Sequence, residues 1–133
     1  MKVFAAILVS VLAAGSAIAA DEISEKGSFG VVINQNFVTF SYVATYVGKG
    51  ETDNEVAFLL EFNDNKGYDV PSEIEDEDTY IKAGRKQIQG HSERKSASSV
   101  MLLFPLSDGE DLEGSVTLYT KVFGSKLKKK FRF

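Results

Sequence analysis

Cysteine and tryptophan are both absent from this chain of 133 residues, and histidine occurs once, as His91. The lack of cysteine excludes disulfides, thiolate metal sites and lipid anchors attached through a cysteine. With one histidine, a zinc site would be poor in ligands, and a Ser-His-Asp triad would have to use His91. That histidine lies in a charged stretch, residues 90–94, without the tight turn that presents a nucleophilic serine.

His91 and Glu93 are two positions apart, so a strand would direct both side chains to the same face. This pair defines an alternative hypothesis, a small hydrolase that uses His91 with nearby carboxylates as an acid–base group. A solvent-facing histidine on an edge strand explains the same stretch more simply. We therefore predict that the protein is not an enzyme.

The first twenty residues have the three parts of a secretory signal peptide. A positive start at Lys2 precedes an apolar stretch over residues 3–14, and residues 17–19 supply the small-x-small pattern of a cleavage site. The apolar stretch is shorter than the ~20 residues that a membrane-spanning helix needs. We predict cleavage after Ala19 or Ala20, which leaves no transmembrane segment in the mature chain.

An exported chain without cysteine or an Asn-x-Ser/Thr sequon favours a bacterial source. The predicted location is the bacterial periplasm or the extracellular medium, and a secreted eukaryotic protein is the alternative. The predicted organisation is a signal peptide over residues 1–20, a flexible lead-in over residues 21–27, and one β-sandwich domain over residues 28–133.

After the signal peptide, apolar and polar residues alternate with a period of two along much of the chain. In residues 37–47 alternate positions are apolar or aromatic, as on a half-buried strand. The predicted strands are 28–33, 37–47, 55–62, 79–83, 85–96 (with Gly90 as a bulge or break), 99–104 and the two arms of a C-terminal hairpin. This pattern predicts an all-β, single-domain antiparallel β-sandwich of seven or eight strands, similar in architecture to immunoglobulin-like and fibronectin type III-like domains. The predicted core includes Phe40, Tyr42, Leu59, Leu102, Leu118 and Phe131.

Charge is distributed unevenly, although the formal net charge is only -4. Residues 51–78 contain eleven acidic residues and one basic residue, whereas residues 121–133 contain six basic residues and no acidic one. The molecule is therefore bipolar, and the overall charge says little about its partners.

The C-terminal stretch, residues 114–133, predicts a β-hairpin around Gly124 and Ser125, because glycine readily takes the positive φ of a type II′ turn. That turn would place Phe123 opposite Lys126, Leu118 opposite Phe131 and Val116 opposite Phe133. One side of this ribbon would be apolar. The other side, the basic side of the hairpin, would carry Tyr119, Lys121, Phe123, Lys126, Lys128, Lys130 and Arg132.

Five cations on one side of a ribbon predict a surface that binds an anionic partner. The candidate partners are the phosphates of lipopolysaccharide or phospholipid head groups, an acidic polysaccharide, or an acidic protein surface at the cell envelope. Tyr119 and Phe123, between the cations, would suit stacking or contact with a membrane interface. A nucleic acid is not expected as partner behind a signal peptide. Two structural roles compete with this hypothesis: lysines that protect a sheet edge from aggregation, and an internal pairing with the acidic segment, residues 68–78.

The acidic segment is also a candidate calcium site, because calcium prefers carboxylate and carbonyl oxygens. The candidate ligands are Asp69, Glu73, Glu75, Asp76 and Asp78. Their spacing does not match an EF-hand loop, and acidic loops are commonly just solvated. No other cofactor is predicted.

The last residues also resemble the C-terminus of outer-membrane β-barrels, since Leu127, Phe131 and Phe133 occupy alternating positions that end in an aromatic residue. Lys129 interrupts this series, and the lysines from 126 to 130 would be costly near the middle of a bilayer. The main hypothesis is therefore a soluble binding module, and a small outer-membrane-associated β protein is an alternative to it.

Overall fold

The computed structural model describes residues 23–50, 54–107 and 110–133, so the predicted signal peptide lies outside the described residues. The described part is all-β and contains nine strands in two antiparallel sheets. The strands are β1 (Ile23–Ile33), β2 (Asn36–Lys49), β3 (Glu55–Phe62), β4 (Tyr80–Ala83), β5 (Lys86–Gln89), β6 (His91–Ser96), β7 (Ser99–Pro105), β8 (Ser115–Val122) and β9 (Ser125–Arg132). Two short 3-10 turns, Val70–Glu73 and Asp76–Asp78, lie between β3 and β4.

The two sheets form a β-sandwich. The five-stranded sheet has the order β1-β2-β3-β7-β6, and the four-stranded sheet has the order β9-β8-β4-β5. Three connections cross from one sheet to the other: β3 to β4, β5 to β6 and β7 to β8. The β-sandwich predicted from the alternation is thereby confirmed.

Gly90 is the reason that the described chain has nine strands rather than seven or eight. The polar stretch predicted as one strand is divided there into β5 and β6, which belong to different sheets. A side chain at position 90 would lie 2.4 Å from Cε1 of Phe104 and 2.7 Å from the carbonyl oxygen of Leu103. Only glycine allows the chain to pass this close to β7 as it changes sheets.

The core lies between the two sheets and consists of alternate residues from almost every strand. Its largest fully buried side chains are Phe40, Phe58, Phe104, Phe131, Leu60, Ile81 and Leu102. The buried positions of Phe40, Tyr42, Leu102, Leu118 and Phe131 confirm five of the six core predictions. Leu59 was placed wrongly: Phe58 and Leu60 point inward, so Leu59 between them lies on the outer face of the five-stranded sheet.

Strand β1 begins earlier than predicted. Residues 23–27, expected as a flexible lead-in, pair with β2 in continuous antiparallel register from Ile23 opposite Tyr46. At the other end, β1 and β2 form a hairpin whose loop residues Asn34 and Gln35 have φ of 50° and 69°. This end exposes two large apolar side chains, Val32 at 71% and Phe37 at 73%.

Candidate functional site

The strand alternation separates the lysines of β9 from its apolar residues. Leu127 and Phe131 are buried between the sheets, whereas Lys126, Lys128 and Lys130 are exposed on the outer face of the four-stranded sheet. Arg132 continues this exposed series. The basic side predicted for the hairpin is therefore the outer face of one sheet of the sandwich.

The hairpin register differs from the prediction. The loop residues are Phe123 and Gly124, with φ of 51° and 77°, and both values are positive, as in a type I′ turn. Lys126 therefore pairs with Lys121, and Lys128 pairs with Tyr119. Because the turn moves by one residue, each residue of β8 pairs with a partner two residues earlier on β9. A shift of two positions leaves the side chains of the paired residues of both strands on their predicted faces.

The last pairs of the hairpin change in the same way. Val116 pairs with Phe131, and Leu118 pairs with Lys129. Phe133 lies beyond the last pair, where its N–H donates to the carbonyl of Gly114 at 2.8 Å. Its ring meets Tyr46 edge-to-face at 4.7 Å between centroids.

Phe123 is not part of the basic side, which corrects the prediction. Its ring stacks on Phe40 at 5.4 Å between centroids and meets Tyr68 edge-to-face at 5.6 Å. A bulky side chain at positive φ is rare because its Cβ crowds the backbone. The contacts with the two rings stabilise the turn in this conformation.

Strand β4 adds two residues that sequence reasoning missed, Tyr80 and Lys82. Tyr80 pairs with Tyr119 of β8, and their rings stack at 4.7 Å between centroids with 17° between planes. Lys82 Nζ lies 5.6 Å from the Tyr119 centroid, and Lys128 Nζ lies 5.7 Å from the same centroid. We call the outer face of the four-stranded sheet the basic face. It is defined by Tyr80, Lys82, Tyr119, Lys121, Lys126, Lys128, Lys130 and Arg132.

The geometry of the tyrosine pair determines what the rings offer to a ligand. One face of Tyr119 is covered by Tyr80, and two ammonium groups lie within cation–π distance of the same ring. The rings are therefore poorly placed to stack on an incoming aromatic group. Their hydroxyls lie at the outer ends of side chains that stand roughly perpendicular to the sheet.

Most cations of the basic face have no carboxylate within 4.0 Å among the described residues. This holds for Lys82, Lys126, Lys128, Lys130 and Arg132. Lys121 is the exception, with its Nζ 4.0 Å from a carboxylate oxygen of Asp78. Arg132 donates a hydrogen bond to the hydroxyl of Ser115 at 3.2 Å. Lys126 and Lys121 are directly opposite each other, and such a like-charge pair is destabilising.

The acidic segment lies beside the end of β8 and not over the basic face. The N–H of Glu75 donates to the carbonyl of Lys121 at 3.0 Å, and the N–H of Phe123 donates to the carbonyl of Glu73 at 3.1 Å. Ile74 and Val122 form an isolated β-bridge between these two bonds. The internal pairing of acidic segment and hairpin is thus made by the backbone, with Lys121 as its only side-chain ion pair among the described residues.

The five predicted calcium ligands do not converge on one point. Asp69 Oδ1 pairs with Arg94 Nε at 3.0 Å, and Asp76 Oδ1 accepts hydrogen bonds from the N–H and hydroxyl of Ser92 at 3.1 and 2.6 Å. Glu73 is exposed. Glu75 and Asp78 do come together, within 4.8 Å of each other and of Glu77, which was not predicted. Calcium binding stays a prediction.

His91 is exposed on β6, opposite Leu103. Within the described residues no hydrogen bond or ion pair connects it to a carboxylate, and the nearby Glu93 pairs instead with Lys95 at 3.2 Å. An acid–base pair of His91 and Glu93 is therefore not assembled in this structure.

Two cavities differ widely in size and position. The first, between the sheets and bordered by Tyr42, Leu60 and Leu127, has about 10 Å³ and is close to the limit for one water molecule. The second is an open groove of about 490 Å³ along β1 and β2, on the outer face of the five-stranded sheet. It lies next to Lys26, Ser41 and Asn63. The first cavity is too small for a ligand, whereas the groove and the outer sheet faces are open surface.

Titratable groups with shifted pKa values lie away from the basic face. The hydrogen bond from Lys86 Nζ, and a second from the N–H of Ser107, lower the pKa of Glu110. The N–H of Lys66 lowers the pKa of Asp64 in the same way. Burial raises the pKa of the Tyr42 hydroxyl.

The described residues include no helix with the length and apolar character needed to cross a bilayer. Comparison of the chain with protein-family models, with curated proteins and with solved structures finds no match in any of the three.

Proposed function

We propose that this protein is an exported, non-catalytic binding module that holds an anionic partner on its basic face. The observation that supports this most is the group of five cations on one sheet face with no carboxylate within 4.0 Å among the described residues. The filled core and the isolated His91 favour this function over a hydrolase. Export rests on the signal-peptide pattern of residues 1–20.

We further propose that the sandwich is immunoglobulin-like. In that assignment, strands β2 to β9 correspond to A, B, C, C′, D, E, F and G, and β1 is an added edge strand. The support is the strand order, since one sheet would read A-B-E-D and the other G-F-C-C′. The basic face would then be the outer face of the G-F-C-C′ sheet.

Edge protection and internal pairing each account for only part of the basic face. Protection of a sheet edge concerns β9 alone, yet Lys82 and Lys121 lie on inner strands of the same sheet. Within the described part of the chain, pairing with the acidic segment concerns Lys121 alone. An anionic partner accounts for the whole face.

The test compares two triple variants with the same change in net charge. K126Q/K128Q/K130Q removes charge from the basic face, and K26Q/K66Q/K95Q removes it from exposed positions elsewhere. The probes are polygalacturonate, polyphosphate and vesicles containing phosphatidylglycerol. At about 1 kcal/mol for each lysine near an anionic surface, the face variant should lose roughly 100-fold in affinity, and the control variant little.

Added salt should weaken the binding of the wild type, because the Debye length falls from about 30 Å at 0.01 M to about 8 Å at 0.15 M. Equal losses in the two triple variants would contradict the proposed face. Absence of wild-type binding to every probe at low salt would contradict the proposed function itself.

A further inference from the structure

The basic face carries most of its charge on one strand. Lys126, Lys128, Lys130 and Arg132 occupy every second position of β9. Residues on the same face of a strand are about 6.6–6.8 Å apart, so these four cations form a straight row about 20 Å long. We call them the cationic row. Such a row matches a linear ligand with repeated anionic groups better than a single small anion.

The strands beside the row present mostly uncharged hydrogen-bonding groups. Thr117 of β8 pairs with Lys130 on one side and with Lys82 on the other, and Gln87 of β5 pairs with Lys82. Tyr119 and Tyr80 form the next line across the sheet. The hydroxyls of Thr117, Tyr80 and Tyr119 form no hydrogen bond with any described residue. A ligand rich in hydroxyl groups could use all of them.

The width of this surface matters as much as its charge. Neighbouring strands are about 4.8 Å apart, so Tyr80 lies roughly 10 Å from the cationic row and Gln87 roughly 14 Å from it. A thin chain of phosphates that follows the row would not reach either residue. A chain of sugar rings, or two such chains side by side, is broad enough to do so.

Two other classes of polyanion fit less well. A lipid surface is usually held by apolar side chains that insert between the lipids, and none of the exposed large apolar residues among those described lies on this face. Single-stranded nucleic acid binds by stacking its bases on open aromatic rings, but Tyr119 is covered by Tyr80 and approached by two ammonium groups.

We infer that the anionic partner is a linear acidic polysaccharide, an inference that rests on the proposed function of the basic face. Its carboxylate or sulfate groups lie along the cationic row. Its hydroxyls exchange hydrogen bonds with Thr117, Tyr119 and Tyr80, and its far edge reaches Gln87.

The experiment measures the affinity of oligogalacturonates of increasing length by titration calorimetry, with polyphosphates of equal charge, phosphatidylglycerol vesicles and neutral maltooligosaccharides as comparisons. Affinity should rise with length until the oligogalacturonate covers about 20 Å, and then level off. The neutral series should not bind.

The variant Y80F/Q87A separates the polysaccharide from other polyanions, because it removes polar groups far from the row and keeps the ring of Tyr80 in its stack. Oligogalacturonate affinity should fall roughly 25-fold, since each of the two lost hydrogen bonds corresponds to about a fivefold effect. Polyphosphate affinity should not change. The matched control, S28A/T39A, removes two exposed hydroxyls from the other sheet and should leave both affinities unchanged.

Three outcomes would overturn the inference. Polyphosphate or vesicles that bind through the row while oligogalacturonates of equal charge do not would refute the polysaccharide and leave the proposed function intact. An unchanged oligogalacturonate affinity in Y80F/Q87A would refute the contact of the ligand with Tyr80 and Gln87. If no polyanion binds, the proposed function fails together with the inference.

Discussion

The acidic segment and the basic face lie next to each other, but they differ in how many of their charged side chains have partners within the protein. The acidic segment is fixed by hydrogen bonds: Asp69 contacts Arg94, Asp76 contacts Ser92, and the backbone of Glu75 is tied to β8. The cationic row has no acidic partner among the described residues. Charges that already have partners stabilise the fold, whereas charges kept without partners are available to a ligand.

The acidic segment also covers the edge of the five-stranded sheet. A carboxylate oxygen of Asp76 accepts the N–H of Ser92 on β6, which is the last strand of that sheet. An uncovered N–H at a sheet edge invites pairing with another chain. Asp76 therefore has a structural role at the edge of the five-stranded sheet.

The largest expected effect is a loss of stability on truncation of Phe40, which lies in the core where the acidic segment meets the hairpin. Phe40 is 1% exposed and stacks on Phe123, whose N–H is bonded to Glu73. Phe40→Ala should reduce the free energy of unfolding by about 3–5 kcal/mol, because it leaves a cavity under both regions. Urea denaturation measures this loss. A change below about 1 kcal/mol would mean that the junction does not depend on Phe40.

The next effect concerns the attachment of the acidic segment. Thr79 is fully buried; its hydroxyl is 3.0 Å from the carbonyl of Glu75 and 2.8 Å from the hydroxyl of Thr120. Thr79→Val should destabilise the protein by about 1–3 kcal/mol, since the half-buried carbonyl of Glu75 and the buried hydroxyl of Thr120 each lose a partner. The matched control is Thr117→Val on the basic face, which should change the stability little. Similar losses in both variants would argue against a special role of the buried pair.

Smaller charge changes should alter the stability in opposite directions in the two regions. Arg94→Gln breaks an exposed ion pair and should lower the free energy of unfolding by up to about 1 kcal/mol. K126Q/K128Q/K130Q should leave the melting temperature equal or slightly higher, because it reduces repulsion between like charges. A lower melting temperature for the triple variant would show that these lysines have acidic partners within the molecule.

The smallest effect is a dependence on pH. Lys86 holds the pKa of Glu110 below its ordinary value of 4.5, so this contact stabilises the folded state above that pH and is lost as the pH falls through the lowered pKa. The Lys86→Gln variant should therefore have a lower melting temperature than the wild type at pH 7, and the difference should shrink as the pH falls below 4.5. Parallel curves over this range would indicate that the contact does not affect stability.

Strand positions and strand faces were predictable because they depend on local alternation. Strand β3 has the predicted bounds, Glu55–Phe62, and every charged residue predicted for the basic side lies on that side. Alternation fixes the face of a residue without any knowledge of its partner strand. Alternation does not distinguish the inner from the outer face of a strand that has apolar residues on both, such as β3, which is why Leu59 was misplaced.

The hairpin register and two of the eight residues of the basic face depended on contacts that are distant in sequence. Local preference favours glycine at the first loop position, but Phe123 occupies it because its ring packs on Phe40 and Tyr68. Tyr80 and Lys82 join the basic face through the pairing of β4 with β8. Nothing near Tyr80 in the sequence identifies Tyr119 as its partner, so these two residues could be found only from the sheet order.

The central claim is that the basic face, and no other surface, meets the anionic partner. A map of backbone amide chemical shifts during titration with oligogalacturonate tests this most directly. We expect shifts that concentrate at Lys82, Tyr119, Lys128 and Lys130, with little change at Asp69 or at the exposed hairpin end near Phe37. Shifts centred on Phe37 or on the groove beside Lys26, with β8 and β9 unchanged, would contradict it.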